Sequence, residues 1–148
     1  MVLHAFQMFC PGCVAHGLPQ AARIHASFDP DDVRVVGLHT VFEHHDAMGP
    51  QALRAFLHEY RVPFPVGVDR PGGTAIPTTM AASEMRGTPT LVLIDREGRR
   101  RAQIFGRPDD LHVGAAVQAL VSESAGRQPG PACDDDGCLV DAGTAGPR

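Results

Sequence analysis

Val2-Leu3-His4-Ala5-Phe6 runs through Gln7-Met8-Phe9 into Cys10-Pro11-Gly12-Cys13, and a segment of helical character continues from about Pro11 to Phe28. A short strand, apolar apart from His4, therefore passes into a helix across a pair of cysteines. The pattern downstream repeats this alternation. Asp29-Pro30-Asp31-Asp32 has turn composition, and Val33 to His39 is a β-branched, mostly apolar run of the kind found in buried parallel strands. Leu53, Phe56, Leu57 and Tyr60 recur at helical spacing, which predicts an amphipathic helix over 50–60 that starts at Pro50 and stops before Pro63. Phe64 to Val68 is a further short strand, and Pro71-Gly72-Gly73 leads to a short helix near Thr78 to Met85. Leu91-Val92-Leu93-Ile94, the turn Asp95-Arg96-Glu97-Gly98 and the return Arg99 to Phe105 form a hairpin. A last helix over 108–123 carries Leu111, Ala115, Leu120 and Val121.

Strands alternating with helices and closed by a hairpin give an α/β sandwich of three layers around a largely parallel central sheet. The chain has 148 residues, 43% hydrophobic and 20% charged, enough for one domain with one core. The domain is expected to span 1–123, and Gly, Pro, Ser and Asp dominate a tail over 124–148. Net charge is -4, with no Lys and scattered Arg, which argues against a nucleic-acid partner; Arg99-Arg100-Arg101 is the one dense basic run. Neither a membrane-length apolar stretch nor a secretory signal pattern occurs, so a cytoplasmic location is the expectation.

Four cysteines fall as two close pairs, Cys10/Cys13 and Cys133/Cys138, too few for a disulfide-stapled scaffold. A thiol attacks a disulfide only as thiolate, and a cysteine at the start of a helix meets free N–H groups and the positive end of the helix dipole, both of which stabilise a sulfur anion. Cys10 is therefore the nucleophile, and Cys13, one turn deeper on the same side, the resolving thiol. Two other readings stand beside this one. Cys-x-x-Cys is half of a tetrahedral zinc site, although the second pair lies 120 residues away. The two thiols can also pack as small apolar side chains, which leaves their place at a strand-to-helix junction around Pro-Gly unexplained.

Cys10-Pro11-Gly12-Cys13 after a strand, Gly87-Thr88-Pro89-Thr90 before the strand Leu91 to Ile94 and Asp95-Arg96-Glu97-Gly98 after it together resemble the thioredoxin superfamily. Within it the chain is most similar to TlpA/ResA-like thiol-disulfide oxidoreductases and peroxiredoxin-like redoxins, which share the inserted strand and helix before Phe64 to Asp69. The resemblance covers about residues 1 to 123. It implies a thioredoxin-like three-layer sandwich with a central mixed sheet, an inserted strand-helix unit and a C-terminal β-hairpin plus helix, disulfide exchange with protein thiols and disulfides, a redox partner protein, and neither an organic cofactor nor an obligatory metal. It also implies a cis Thr88-Pro89 bond, with Thr88 and Pro89 binding the partner's chain, and a buried carboxylate taking the Cys13 proton. Glu43, after the second strand, is the candidate for that carboxylate, with His39, His44, His45 and His16 as alternatives.

The chain departs from the family pattern in three places. The hairpin and much of the first strand that precede the cysteines in relatives are missing, since Met1 lies nine residues ahead of Cys10. Pro19 comes six residues after Cys13 where relatives have their proline at five, and a bulge in the first helix would absorb the extra residue. The aromatic before the motif is split between Phe9 and Phe6. Peroxidase action is the alternative activity, but Gln7 stands where peroxiredoxins carry Thr; metal delivery is another, although such relatives place three residues between their cysteines. Cys133 and Cys138 would form an accessory redox pair if the tail loops back.

Overall fold

β1 (Val2–Phe6) is the middle strand of a five-stranded sheet in the computed structural model, which describes residues 1–73 and 76–125. Along the chain follow a π-helical turn (Cys13–Gly17) leading into α1 (Leu18–Ser27), β2 (Val35–His39), a 3-10 turn (His45–Ala47) and α2 (Pro50–Glu59). The order then continues with β3 (Val66–Val68), α3 (Thr78–Ala82), β4 (Thr90–Ile94), β5 (Arg100–Phe105) and α4 (Asp110–Ala125). The strand order is β3-β2-β1-β4-β5. β1 pairs parallel with β2 (Phe6 opposite His39) and antiparallel with β4 (His4 opposite Leu91), so the central sheet is mixed, as the resemblance implies. β4 and β5 form the expected antiparallel hairpin, with a register irregularity at Leu93/Ile94.

Period-two alternation sends the two faces of the sheet to different cores. Val2, Phe6, Val35, Leu91 and Leu93 face α1, α2 and α4, where Leu18, Ala21, Ile24, Leu53, Val113 and Val117 meet them. Ala5 and Val92 on the other face pack with Met80 and Met85 around α3. Helices on both faces complete the three-layer α/β sandwich. On α4 Val113 and Val117, one turn apart, are buried, and the expected Leu120 and Val121 pack against the same core, whereas the expected Leu111 (82% exposed) and Ala115 face outward. α3 stops at Ala82 rather than Met85, because Glu84 takes a left-handed conformation (φ 54°) that no helix can continue through.

The extra residue between Cys13 and Pro19 is absorbed in the π-helical turn, where the Leu18 N–H reaches back to the Cys13 carbonyl. Its last residue, Gly17, touches the sheet: a Cβ there would lie 2.5 Å from His4 Cε1 and 3.1 Å from Pro89 Cβ. A glycine is required here by close approach, not by its dihedrals. Asp29 to Asp32 and Asp95 to Gly98 are turns as the composition indicates, the second closed by Arg99 and Glu97 N–H groups donating to the Asp95 carboxylate. The basic run is not a free patch, since Arg99 pairs with Asp95 and Glu97, and Arg101 with Asp95 and Glu123.

Gly17→Ala is expected to destabilise the fold by about 1–3 kcal/mol through overpacking against His4 and Pro89. Urea unfolding monitored by circular dichroism checks this, the expectation being a lower midpoint at unchanged slope.

Candidate active site

β1 ends at Phe6, whose carbonyl accepts the Thr40 N–H, and the chain turns through Gln7-Met8-Phe9 to deliver Cys10 to the start of the helix. There the backbone donors converge on sulfur. The Cys13 N–H points to Cys10 Sγ at 3.2 Å as well as to the Cys10 carbonyl at 3.0 Å, and the Cys10 thiol donates to the Thr88 carbonyl at 3.5 Å. Cys10 is half-buried, and Cys13 is fully buried beneath it. Burial, joined by the hydrogen bond with Cys10, pushes the Cys13 thiol up to about 12, even though the Gln7 backbone and the Thr88 side chain hydrogen-bond to its sulfur. One thiol can be reached from solvent and the other stays protonated until something removes its proton.

The Thr88–Pro89 peptide bond is cis, and Pro89 Cδ stands 3.4 Å from where a Gly12 Cβ would be. Between this loop and the segment after β2 lies a groove of about 430 Å³, walled by Phe9, Phe42, Phe105 and Thr88 with Cys10 at its floor. Phe9 and Phe105 are 59% and 50% exposed, an apolar rim around a reactive sulfur. The Gln7 side chain is buried and accepts the Phe42 N–H at 3.1 Å, which fastens one wall of the groove to the strand end. Gln7 therefore offers its side chain to the backbone at the place where a peroxidase would hold a hydroxyl.

No family model and no curated protein matches the chain. Solved structures do. A thioredoxin-like superfamily protein is 59% identical with TM-score 0.80, the match covering 81% of this chain and 78% of that one. A thiol-disulfide isomerase from Corynebacterium glutamicum is 50% identical, also with TM-score 0.80, over 82% of this chain and 79% of its own. The chain belongs to the thioredoxin superfamily. StoA from Bacillus subtilis, 21% identical with TM-score 0.62 over 77% of this chain and 78% of its own, shares the fold. This thioredoxin-superfamily chain is an oxidoreductase of the thiol-disulfide kind.

The superfamily site brings together Cys10, Cys13, Thr88 and Pro89, and Glu43 lines the same groove. Glu43 is exposed, however, and so is not the buried carboxylate that the resemblance implies near the resolving thiol. The reason is local: residues 43–47 run over the surface, and His44 adopts a left-handed conformation (φ 52°) that turns this segment outward, with its ring edge-on to Phe9 at 6.4 Å. His45 is exposed as well, and His16 lies 3.5 Å from an Arg107 guanidinium nitrogen. The buried carboxylate of the described residues is Asp69, which accepts Thr40 Oγ1–H and the N–H groups of Thr79 and Met80 at the start of α3. Burial alone would raise its pKa, and these donors outweigh that and hold it below the usual carboxylate range. Among the described residues no cluster of three or more His, Cys, Asp or Glu is gathered to hold a metal ion, and no helix is long and apolar enough to cross a membrane. Cys133 and Cys138, with the rest of the expected tail beyond Ala125, lie outside the described residues.

Two buried imidazoles complete the surroundings. His4 and His39 are 2% and 1% exposed and flank Phe6, with ring centroids 6.0 and 5.4 Å from it. Their Nε2 atoms are the buried side-chain nitrogens and oxygens of the described residues that lack a hydrogen-bond partner. Burial lowers the pKa of each to about 4. His39 is one of the candidate bases of the sequence; His4 is the polar break in an apolar strand, and that break is its signal in the sequence.

The unfolded chain protonates these rings near the ordinary value of 6.5, while the folded protein resists until about pH 4. Stability is therefore expected to be intact above pH 6.5 and to fall between pH 6.5 and 4, by up to about 3 kcal/mol for each ring. Urea midpoints measured across this range should show the loss, and His39→Asn should reduce its slope.

Proposed function

We propose that the protein passes electron pairs between its Cys10/Cys13 couple and cysteines of protein partners. The observation that carries this reading is the asymmetry of the pair: a reachable sulfur that receives an N–H bond at the floor of an aromatic-rimmed groove, backed by a buried thiol within hydrogen-bond reach. In the direction that reduces the partner, the Cys10 thiolate attacks one sulfur of the partner's disulfide and the other sulfur leaves as a thiolate. Cys13, once deprotonated, attacks Cys10 Sγ. The Cys10–Cys13 bond forms, the Cys10–partner bond breaks, and the partner departs with two electrons more than it brought. A second redox protein then restores the dithiol, and the reverse sequence oxidises a partner.

The groove favours a partner whose cysteine is flanked by apolar residues that can cover Phe9 and Phe105, with its chain lying along Thr88 and Pro89. Glu43, exposed on the rim, meets the partner rather than Cys13 in this reading. The thiol-disulfide isomerase from Corynebacterium glutamicum supports the same class of activity here.

Cys13→Ser is expected to accumulate a mixed disulfide between Cys10 and partner proteins, visible as adducts on non-reducing gels that vanish with dithiothreitol. Cys10→Ser should form none and lose disulfide reductase activity by about 10³-fold or more. Reductase activity that survives in Cys10→Ser would sink the reading.

A further inference from the structure

We propose that His4 accepts the Cys13 proton in the resolving step, in the place of a carboxylate. The inference rests on the thiol-disulfide reading above and assigns one of its steps to a residue of β1.

Its basis is a buried acceptor with nothing to accept from. His4 Nε2 has no hydrogen-bond partner among the described residues, on a ring that is 2% exposed. That end of the ring faces the turn that begins at Cys13: the position of a Gly17 Cβ is 2.5 Å from His4 Cε1, 2.7 Å from Nε2 and 3.1 Å from Pro89 Cβ. Cys13 and Gly17 open and close this single π-helical turn, both are buried against the sheet, and Pro89 packs beside Gly12 as well. The acceptor thus sits under the turn that carries the resolving thiol, on the inner side where solvent does not reach.

The other candidate groups near this turn are engaged elsewhere or face solvent, beginning with His16 in the turn itself, half-buried beside the Arg107 guanidinium. His39 on β2 lies across the Phe6 ring, and Asp69 is saturated by Thr40, Thr79 and Met80. Asp110 at the start of α4 is held by Gln20 and Arg23, and Glu43, His44 and His45 are exposed. Cys10 is the partner sulfur itself.

The charge arithmetic favours a local transfer. Burial opposes both a Cys13 anion and a His4 cation, because each charge would lose its hydration, and the hydrogen bond with Cys10 opposes the anion further. Moving one proton from Cys13 Sγ to His4 Nε2, directly or across one water, creates the two charges together and leaves the buried site neutral overall. Cys13 then attacks Cys10 Sγ, the Cys10–partner bond breaks and the partner leaves as a thiolate; the proton on His4 is released to solvent once the Cys10–Cys13 bond has formed.

The two sulfur steps can be separated with dithiobis(nitrobenzoate) and the reduced full chain. The first nitrothiolate released reports attack by Cys10, the second reports resolution by Cys13. For the native protein we expect a second phase nearly independent of pH between 6 and 8. In His4→Asn the first phase should persist, while the second slows by about 10²-fold at pH 7 and climbs about tenfold per pH unit as hydroxide takes over. His4→Asp should recover most of the rate, and His39→Asn should keep the native profile. A native second phase in His4→Asn, or equal slowing in His39→Asn, overturns the proposal. Absence of the first phase in the native protein would instead overturn the disulfide-exchange reading. Should His4→Asn fail to fold, nitrogen NMR of the native His4 ring decides: its titration must follow that of Cys13 and lose the step in Cys13→Ser, and a ring blind to Cys13 refutes the assignment.

Discussion

The contact on which the site depends is the Cys13 N–H directed at Cys10 Sγ, made possible because the helix begins between the two cysteines. This N–H, in the first turn of the helix, is shared between the Cys10 carbonyl at 3.0 Å and the Cys10 sulfur at 3.2 Å. The same geometry places the second sulfur inside the protein. Chemical inequality between two identical side chains thus follows from their being three residues apart across a helix start, one outside the core and one within it. Thr88 ties the second loop to both, its carbonyl meeting Cys10 and its side chain meeting Cys13.

Around that contact the structure fixes each wall by a different polar device. Gln7 spends its side chain on the Phe42 backbone, which holds the segment after β2 against the strand end. Asp69 gathers Thr40, Thr79 and Met80, joining the ends of β2 and β3 to α3. Thr90 returns its hydroxyl to the Gly87 carbonyl at 2.7 Å, closing the loop that carries Thr88 and Pro89. Each is a buried polar group with its partners supplied, as an interior of low dielectric demands.

Much of this was legible in the chain. Apolar runs at Val33 to His39 and Leu91 to Ile94, the Pro50 start and the Asp95 turn all appear where pattern and turn chemistry put them, within a few residues. Even the offset of Pro19 was readable as one surplus residue in the first helix, and the π-helical turn is where it went. What could not be read depended on tertiary neighbours. Which side of α4 turns inward is decided by the sheet it lands on, and Val113 and Val117 fit there while Leu111 does not. Glu43 looked suitable by its place after a strand, yet the left-handed turn at His44 that keeps its segment outside has no marker in a run of polar residues. His4 carried a signal of the opposite kind, since a lone imidazole in the central strand has few reasons to be there other than chemistry or a hydrogen bond.

The ends of the sheet carry a separate consequence. One outer strand, β3, is only three residues long, and the other, β5, presents Arg100 and Arg101, with Arg101 anchored to Glu123 of α4. A foreign strand seeking to add itself along either border would find too few backbone groups on one side and, on the other, Arg side chains tied to Ser83, Gln103, Asp95 and Glu123. Both borders of the sheet are in this way closed to extension by another chain.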